Sequence, residues 1–138
     1  MDKVHDKDNF YKIYDWAGSD RNKLPWAHDE PTLFLRDIVA QRGKPGKALD
    51  IGCGAGTDSL YLAGEDWDVT SLDFMPAALE MTRARAAAAG LEVTAIEADV
   101  TEWEPTDKFD LVLDHGLLHN MNPDRYPLYR ERVMQAVA

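Results

Sequence analysis

The chain has 138 residues, of which 45% are hydrophobic and 29% charged, and its formal net charge at pH 7 is −10. A chain of this length has room for one hydrophobic core, so we expect residues 1–138 to form a single domain. The acidic balance argues against nucleic-acid binding, which relies on clustered Lys and Arg. A small-molecule or protein partner is therefore favoured.

The chain combines a charged N-terminus and short apolar runs with a single cysteine, Cys53. The first two features predict neither a signal peptide nor a membrane-spanning helix. A lone cysteine cannot form an internal disulfide or share a zinc ion with a second cysteine, which agrees with a reducing compartment. We expect a cytoplasmic protein with no membrane contact and no metal.

Residues 1–43 differ in pattern from the rest and predict an N-terminal helical cap of the same domain. Within them, Pro31–Ala40 has the spacing of an amphipathic helix, preceded by an aromatic-rich stretch that contains Trp16 and Trp26. The predicted apolar face of this helix consists of Leu33, Phe34, Ile38 and Val39. The aromatic residues either cover a site, where ring faces favour a cation, or belong to the core. For Trp16 both interpretations remain open.

From residue 44 to residue 138, strand and helix signals alternate. The predicted strands are Lys47–Ile51, Asp68–Asp73, Glu92–Glu97 and Phe109–Leu113. The predicted helices run from Thr57 to Ala63, from Pro76 to the residue before Gly90, and onward from Asn122, the last with Tyr126, Tyr129, Val133 and Val137 on one face. This alternation predicts an α/β core with a parallel sheet and right-handed crossovers.

The turn between the first predicted strand and helix reads Asp50-Ile-Gly-Cys-Gly-Ala-Gly56. Its three glycines lack the β-carbons that would keep a ligand from the backbone, and amides at a helix start can face that ligand. The alternative is a tight glycine-rich turn without a ligand. A dinucleotide fingerprint would need Gly or Ala at position 57, where this chain has Thr57 followed by Asp58. Because an acidic side chain there would repel a pyrophosphate, a cofactor without phosphates is favoured.

Two further acids follow predicted strands. Asp73 lies 21 residues after Gly52, about the spacing at which a carboxylate accepts hydrogen bonds from ribose hydroxyls. Its alternative role is a solvated strand-end carboxylate. The carboxylate of Asp99 can accept from the exocyclic amine of an adenine, and the amide of Val100 can donate to a ring nitrogen. The alternative role of Asp99 is that of a loop carboxylate without a ligand.

These motifs in this order resemble those of the class I S-adenosylmethionine-dependent methyltransferases. The similarity includes the glycine turn, Asp73, Ala98-Asp99-Val100 and the run from Phe109 to His119. The segment Pro25–Pro31 is similar to the proline-tryptophan lid of small-molecule methyltransferases related to thiopurine and tellurite-resistance enzymes. The resemblance implies a Rossmann-like parallel sheet, S-adenosylmethionine as cofactor and a small-molecule acceptor.

The resemblance also implies site residues. The residues that it assigns to the cofactor are Asp50, Gly52, Cys53, Gly54, Gly56, Asp73, Phe74, Asp99, Val100 and Asp114. The glycines would approach the methionine part, with Asp50 supporting its amino group. Asp114, His115 and His119 would be catalytic, and Trp16 and Trp26 would form the lid near the substrate. Each histidine is a candidate general base, the alternative being a structural hydrogen bond.

Four predicted strands are fewer than the seven usual in the resembled family. We therefore expect the C-terminal part of the sheet to be missing, with Phe109–Leu113 at an edge that has unpaired backbone groups. We expect the chain to retain its cofactor contacts but to have a defective acceptor pocket. The open edge predicts either self-association through the fourth strand or a truncated form of a longer protein. Two other functions remain open, namely a non-catalytic S-adenosylmethionine- or nucleoside-binding module and, less favoured, an NAD-dependent oxidoreductase.

Overall fold

The computed structural model describes residues 31, 33–115, 117 and 121–138. The helices among them are α1 (Leu33–Arg42), α2 (Thr57–Gly64), α3 (Pro76–Ala89) and α4 (Tyr126–Ala136), the last preceded by a 3₁₀ turn over Pro123–Arg125. The strands are β1 (Lys47–Ile51), β2 (Asp68–Asp73), β3 (Thr94–Glu97) and β4 (Leu111–Asp114). This is the predicted alternation of strands and helices.

The four strands form one parallel sheet in the order β3-β2-β1-β4. At its carboxyl edge, Ile51 is in register with Leu72 on one side and with Asp114 on the other. Asp73 is in turn in register with Glu97. The α/β class and the Rossmann-like parallel sheet are therefore as predicted, and the segments that follow the strands meet at a single edge.

Helices pack on both faces of this sheet and form two apolar clusters with residues of the strands. Ala48 and Val69 pack with Leu35 of α1 and Leu62 of α2 on one face. The other face holds the cluster Leu49, Ile51, Leu72, Val100, Phe109, Tyr129 and Ala136, which includes two residues of α4. Burial of both faces is reflected in β4, where residues 111–113 are all apolar, whereas β2 has Thr70 and Ser71 between its apolar residues.

The third strand begins at Thr94, two residues later than the sequence predicts. Helix α3 ends with Gly90 in a left-handed conformation, and the amide of Leu91 donates to Ala86 O at 2.9 Å. Because the helix cap includes residues up to Leu91, the chain joins the sheet only after it. Pairing with β2 starts at Thr94, which lies opposite Thr70.

The fourth strand also begins later than predicted, at Leu111, and the expectation of an entirely unpaired edge is wrong at Phe109. The amide of Phe109 donates to Ala136 O at 2.7 Å, and the amide of Ala138 donates to Phe109 O at 2.9 Å. Residues that follow α4 thus pair with the start of this edge. Over Leu111–Asp114, the described part of the chain provides a strand neighbour only on the β1 side.

The predicted apolar faces of the two terminal helices are only partly correct. In α1, Leu33 and Phe34 are 76% and 70% exposed, whereas Leu35 is fully buried. In α4, Tyr129 is buried but Tyr126 is exposed, and Val137, predicted to lie on the same face, follows the end of the helix and is also exposed. The sequence fixes the spacing of apolar residues, whereas the angle at which each helix meets the sheet decides which of them are covered.

In the described ranges, none of the helices is both long enough and apolar enough to cross a bilayer. The same residues contain no cluster of three or more His, Cys, Asp or Glu side chains arranged to hold a metal ion.

Candidate functional site at the carboxyl edge of the sheet

The glycine turn connects β1 to α2 in a conformation that depends on glycine. Gly52, Gly54 and Gly56 have φ angles of 69°, 56° and 88°, in the left-handed region that other L-residues rarely adopt. The turn is tied to the neighbouring strand because the amides of Gly52 and Cys53 donate to Leu72 O at 2.7 and 3.1 Å. The backbone after β1 is therefore held in one conformation.

Two of these glycines also allow close contacts within the protein. A β-carbon at Gly56 would lie 2.6 Å from Thr82 Oγ1, and one at Gly52 would lie 3.0 Å from Leu117 Cβ. Helix α3 and the loop after β4 thus pack directly on the turn. Both glycines are required by the fold as well as being suited to a ligand.

Asp73, at the end of β2, is buried and holds the glycine turn. Its Oδ2 accepts from the amide of Gly54 at 3.0 Å, and its Oδ1 accepts from the amide of Met75 at 2.9 Å. Burial raises the pKa of Asp73 to about 6, and these backbone hydrogen bonds act in the opposite direction. The amide of Phe74 adds a third backbone hydrogen bond to this carboxylate. Because a carboxylate has about four acceptor positions, Asp73 can also accept from a ligand hydroxyl. Phe74 follows directly and is half-buried.

Asp50 lies beneath the turn, only 2% exposed, in a polar network with two serines. Ser59 Oγ donates to Asp50 Oδ2 at 2.6 Å and lies 2.7 Å from Ser71 Oγ. Burial, reinforced by the nearby Asp58 and Asp73, raises the pKa of Asp50 to about 7, although the bond from Ser59 lowers it. Because Asp50 is buried, it can act on a ligand at this edge of the sheet only through its electric field. Neither serine could be predicted from the sequence, since small polar residues in a buried strand or helix have no distinctive pattern.

Asp99, after β3, already has protein partners. Its Oδ1 accepts from Thr101 N at 2.9 Å and from Thr101 Oγ1 at 2.7 Å. Its Oδ2 is 3.4 Å from Arg125 Nη2, in an ion pair that sequence analysis did not predict. The side chain of Val100 belongs to the core, so only its backbone is suited to contact a ligand.

Asp114, at the end of β4, shapes the loop that follows it. Its Oδ1 accepts from the amide of Leu117 at 2.7 Å, and its Oδ2 accepts from Tyr129 Oη at 2.5 Å. Burial and this hydrogen bond raise the pKa of the Tyr129 hydroxyl well above its ordinary value, so the phenol remains the donor. These contacts indicate a structural contribution of Asp114 to the position of Leu117 over the glycine turn.

His115 follows Asp114 and contacts the glycine-turn side of the site. Its Nδ1 lies 2.9 Å from Oδ2 of Asp58, the second residue of α2. The sequence separation of 57 residues is bridged because β1 and β4 are neighbours in the sheet. The other predicted general base, His119, and the predicted lid residues Trp16 and Trp26 lie outside the described residues.

Cys53, within the turn, is buried. Its Sγ lies 3.7 Å from Thr82 Oγ1, and burial raises the pKa of the thiol well above its ordinary value. A protonated, covered thiol is a poor nucleophile. The arrangement favours a packing role for Cys53.

Taken together, the carboxyl edge of the sheet is acidic. Asp50, Asp58, Asp73, Asp99 and Asp114 all lie in or directly beside the segments that follow the four strands. Such an arrangement favours a cationic ligand and opposes a pyrophosphate at the start of α2. It agrees with the prediction of a cofactor without phosphates.

Comparison with known proteins shows the family of the chain. A family model described as a methyltransferase domain matches residues 48–137. The chain is 30% identical over 116 residues to 2-heptyl-1-hydroxyquinolin-4(1H)-one methyltransferase of Mycobacteroides abscessus, covering 83% of this chain and 51% of that protein. It is also 30% identical over 112 residues to a probable thiol methyltransferase of Arabidopsis thaliana, covering 79% and 50%. The chain thus spans about half the length of these curated relatives.

Solved structures give the same result for the fold. The 1,6-didemethyltoxoflavin-N1-methyltransferase of Burkholderia thailandensis, solved with bound 1,6-didemethyltoxoflavin and S-adenosylhomocysteine, superposes with a TM-score of 0.71 at 25% identity, covering 97% of this chain and 56% of that one. A structure from work on the conversion of a disulfide bond into a thioacetal group in echinomycin biosynthesis has a TM-score of 0.80 at 33% identity, covering 94% and 55%. Because the family model also matches well over half of the sequence, the chain belongs to the methyltransferase domain family, as its resemblance to the class I S-adenosylmethionine-dependent enzymes implied.

Proposed function

We propose that this protein transfers a methyl group from S-adenosylmethionine to a small-molecule acceptor. The proposal rests on one observation in a chain of the methyltransferase domain family: the glycine turn, Asp73 and His115 lie together at one acidic edge of the sheet. The position of Asp73 is the one at which a carboxylate would accept from ribose hydroxyls. The two curated relatives described above are named for a hydroxyquinolone and a thiol. Such acceptors agree with a net charge of −10, which disfavours a nucleic-acid substrate.

The described residues fit this cofactor. Asp73 would accept from the ribose hydroxyls, and Asp99 with the amide of Val100 would pair with the adenine edge. Gly52, Gly54 and the other residues of the turn would approach the methionine part. Asp50 would favour its ammonium group and the sulfonium from beneath the turn. The alternative of an NAD-dependent oxidoreductase is disfavoured by Asp58 in the first turn of α2.

When bound, S-adenosylmethionine supplies an electrophilic methyl group on a sulfonium. Since positive charge is consumed during the displacement, alignment of the acceptor and exclusion of water provide much of the rate enhancement. His115 and Asp114, directly after β4, would lie beside the acceptor. His115 would remove the proton of an acceptor whose nucleophilic atom carries one. The roles of His119, Trp16 and Trp26 remain predictions of the sequence.

Cofactor binding and turnover can be measured separately. We expect calorimetry to give a micromolar dissociation constant for S-adenosylhomocysteine, and saturating ligand to raise the melting temperature by linkage. Incubation with labelled S-adenosylmethionine and a panel of thiols, amines, halides and hydroxylated heterocycles should label at least one acceptor. Failure of both S-adenosylmethionine and S-adenosylhomocysteine to bind at millimolar concentration would contradict the proposal.

Binding without turnover would support the alternative of a non-catalytic binding module for this 138-residue chain. Three finer properties stay predictions. These are a cytoplasmic location, the absence of nucleic-acid and membrane partners, and self-association through β4.

A further inference from the structure

The contact between Asp58 and His115 joins the two loops that flank the proposed cofactor. Asp58 belongs to α2, which starts where the glycine turn ends, and His115 is the first residue after β4. The ring Nδ1 and the carboxylate Oδ2 are 2.9 Å apart. Leu117, two residues beyond His115, packs against Gly52. The contact therefore lies beside the same turn that would hold the methionine part of the cofactor.

The two partners differ in exposure. The Asp58 side chain is 5% exposed, whereas that of His115 is 42% exposed. Asp58 is also an acidic residue in the first turn of a helix, where the helix dipole stabilises negative charge. The carboxylate is thus the anchored member of the pair, and the imidazole is the member that small molecules can reach.

The chemistry of the pair restricts the tautomer of the imidazole. An ionised carboxylate can only accept hydrogen bonds, so the histidine Nδ1 must donate to it. In the neutral ring the lone pair is then located on Nε2. A carboxylate bound to Nδ1 also stabilises the imidazolium that forms when Nε2 takes up a proton.

We propose that Asp58 is a positioning residue that holds His115 as its Nδ1–H tautomer and so makes Nε2 the proton acceptor for methyl transfer. The proposal rests on the proposed function. The bond from the acceptor atom to the methyl group forms as the bond from the methyl group to sulfur breaks, and the sulfur keeps the electron pair. The proton of the acceptor atom passes to Nε2 of His115, which becomes imidazolium beside Asp58.

The tautomer can be observed without any activity measurement. Long-range ¹H–¹⁵N NMR at alkaline pH distinguishes Nδ1–H from Nε2–H rings, and loss of a signal in His115→Gln assigns it among the four histidines. We expect Nδ1–H in the wild type and in Asp58→Asn, whose side-chain carbonyl can still accept. Asp58→Ala should shift the ring toward Nε2–H. An Nε2–H ring in the wild type would overturn the proposal even if Asp58→Ala does not fold.

The charge of Asp58 can be tested with an acceptor from the panel. Asp58→Asn should lower kcat by about 10-fold to 100-fold, within the range that general-base catalysis contributes. The dissociation constant of S-adenosylhomocysteine should change by less than about twofold. The matched control is Asp66→Asn, an exposed residue two positions after the end of the same helix, where asparagine tolerates the φ of 69°. It should behave as the wild type.

Unchanged kcat in Asp58→Asn, or an equal loss of kcat and cofactor affinity, would overturn the positioning role. Failure of the proposed function gives a different result. In that case S-adenosylhomocysteine would not bind the wild type, whatever the tautomer of His115. Binding of S-adenosylhomocysteine together with an Nε2–H ring would contradict the Asp58 proposal alone.

Discussion

At the scale of single residues, Asp73 stabilises the glycine turn and would also bind the cofactor, two roles that the sequence pattern does not distinguish. It accepts from the amides of Gly54 and Met75, so it shapes the turn that it would share with the cofactor. Asp99 differs, because Thr101 and Arg125 already occupy its carboxylate. The two acids that look alike in sequence should therefore contribute unequally to cofactor affinity.

Asp73→Ala should weaken binding of S-adenosylhomocysteine by about 1.5–3 kcal/mol, since charge-assisted hydrogen bonds to the ribose would be lost. Asp99→Ala should cost less, because the amide of Val100 remains. Calorimetry measures both, and Asp68→Ala, at the exposed start of the same strand as Asp73, is the matched control. A larger loss in Asp99→Ala than in Asp73→Ala would show that the roles of the two acids are wrongly assigned.

The buried carboxyl of Asp50 predicts a pH dependence of stability. Its pKa is about 7 in the folded protein, against 3.8 without burial. Between these values the folded state binds more protons than the unfolded state, so the free energy of unfolding falls as pH rises. The slope approaches about 1.4 kcal/mol per pH unit for one proton. Asp73 contributes with the same sign between pH 3.8 and about 6.

Asp50→Asn removes this titration, so its stability relative to the wild type should rise between pH 5 and pH 7. Urea unfolding at several pH values measures the difference, and only the change with pH is compared. Asp68→Asn, at the exposed start of β2, should follow the wild type. Parallel pH profiles of Asp50→Asn and the wild type would contradict the raised pKa.

At the scale of elements, the glycines at the start and the end of α2 differ in whether a side chain can replace them. Gly56 has a φ of 88°, and an added β-carbon would clash with Thr82, whereas Gly64 has open space around its α-carbon. Gly56→Ala should therefore lower the free energy of unfolding by about 1–3 kcal/mol. Gly64→Ala, in the same helix, should be neutral or stabilise by up to about 1 kcal/mol.

Urea midpoints measure both effects. Thr82→Ala also removes the hydrogen bond from Thr82 Oγ1 to Gly54 O at 3.1 Å, so it is measured alone and together with Gly56→Ala. Gly56→Ala should cost less in the Thr82→Ala background, because only the part due to the positive φ remains. Equal stability of the Gly56→Ala and Gly64→Ala variants would mean that the turn is not restricted in the way described.

At the scale of the whole molecule, the outer edge of β4 predicts self-association of the 138-residue chain. Residues after α4 pair with Phe109 but not with Leu111–Asp114 in the described structure. This short apolar strand can add a strand from a second copy. Sedimentation should show a dimer that dissociates on dilution. A monomer at all concentrations would contradict this prediction.

The sequence alone was sufficient for the local and periodic features of this protein. The bounds of β1 and β2 are as predicted, and so is the end of α3 at Gly90. The glycines with positive φ and the acids at the strand ends could also be predicted, because their positions depend on neighbours close in the chain. The parallel sheet followed from them, because short strands alternating with helices have few other ways to cover both faces.

Only the tertiary structure decided which distant side chains meet. The contact of His115 with Asp58, the ion pair of Arg125 with Asp99 and the bond from Tyr129 to Asp114 each join different elements. Their geometry depends on strand order and on the angle of each helix, which a linear pattern does not contain. For the same reason the sequence could name the acids of this site but not their partners, since hydrogen bonding and burial are set by the packing of the complete core.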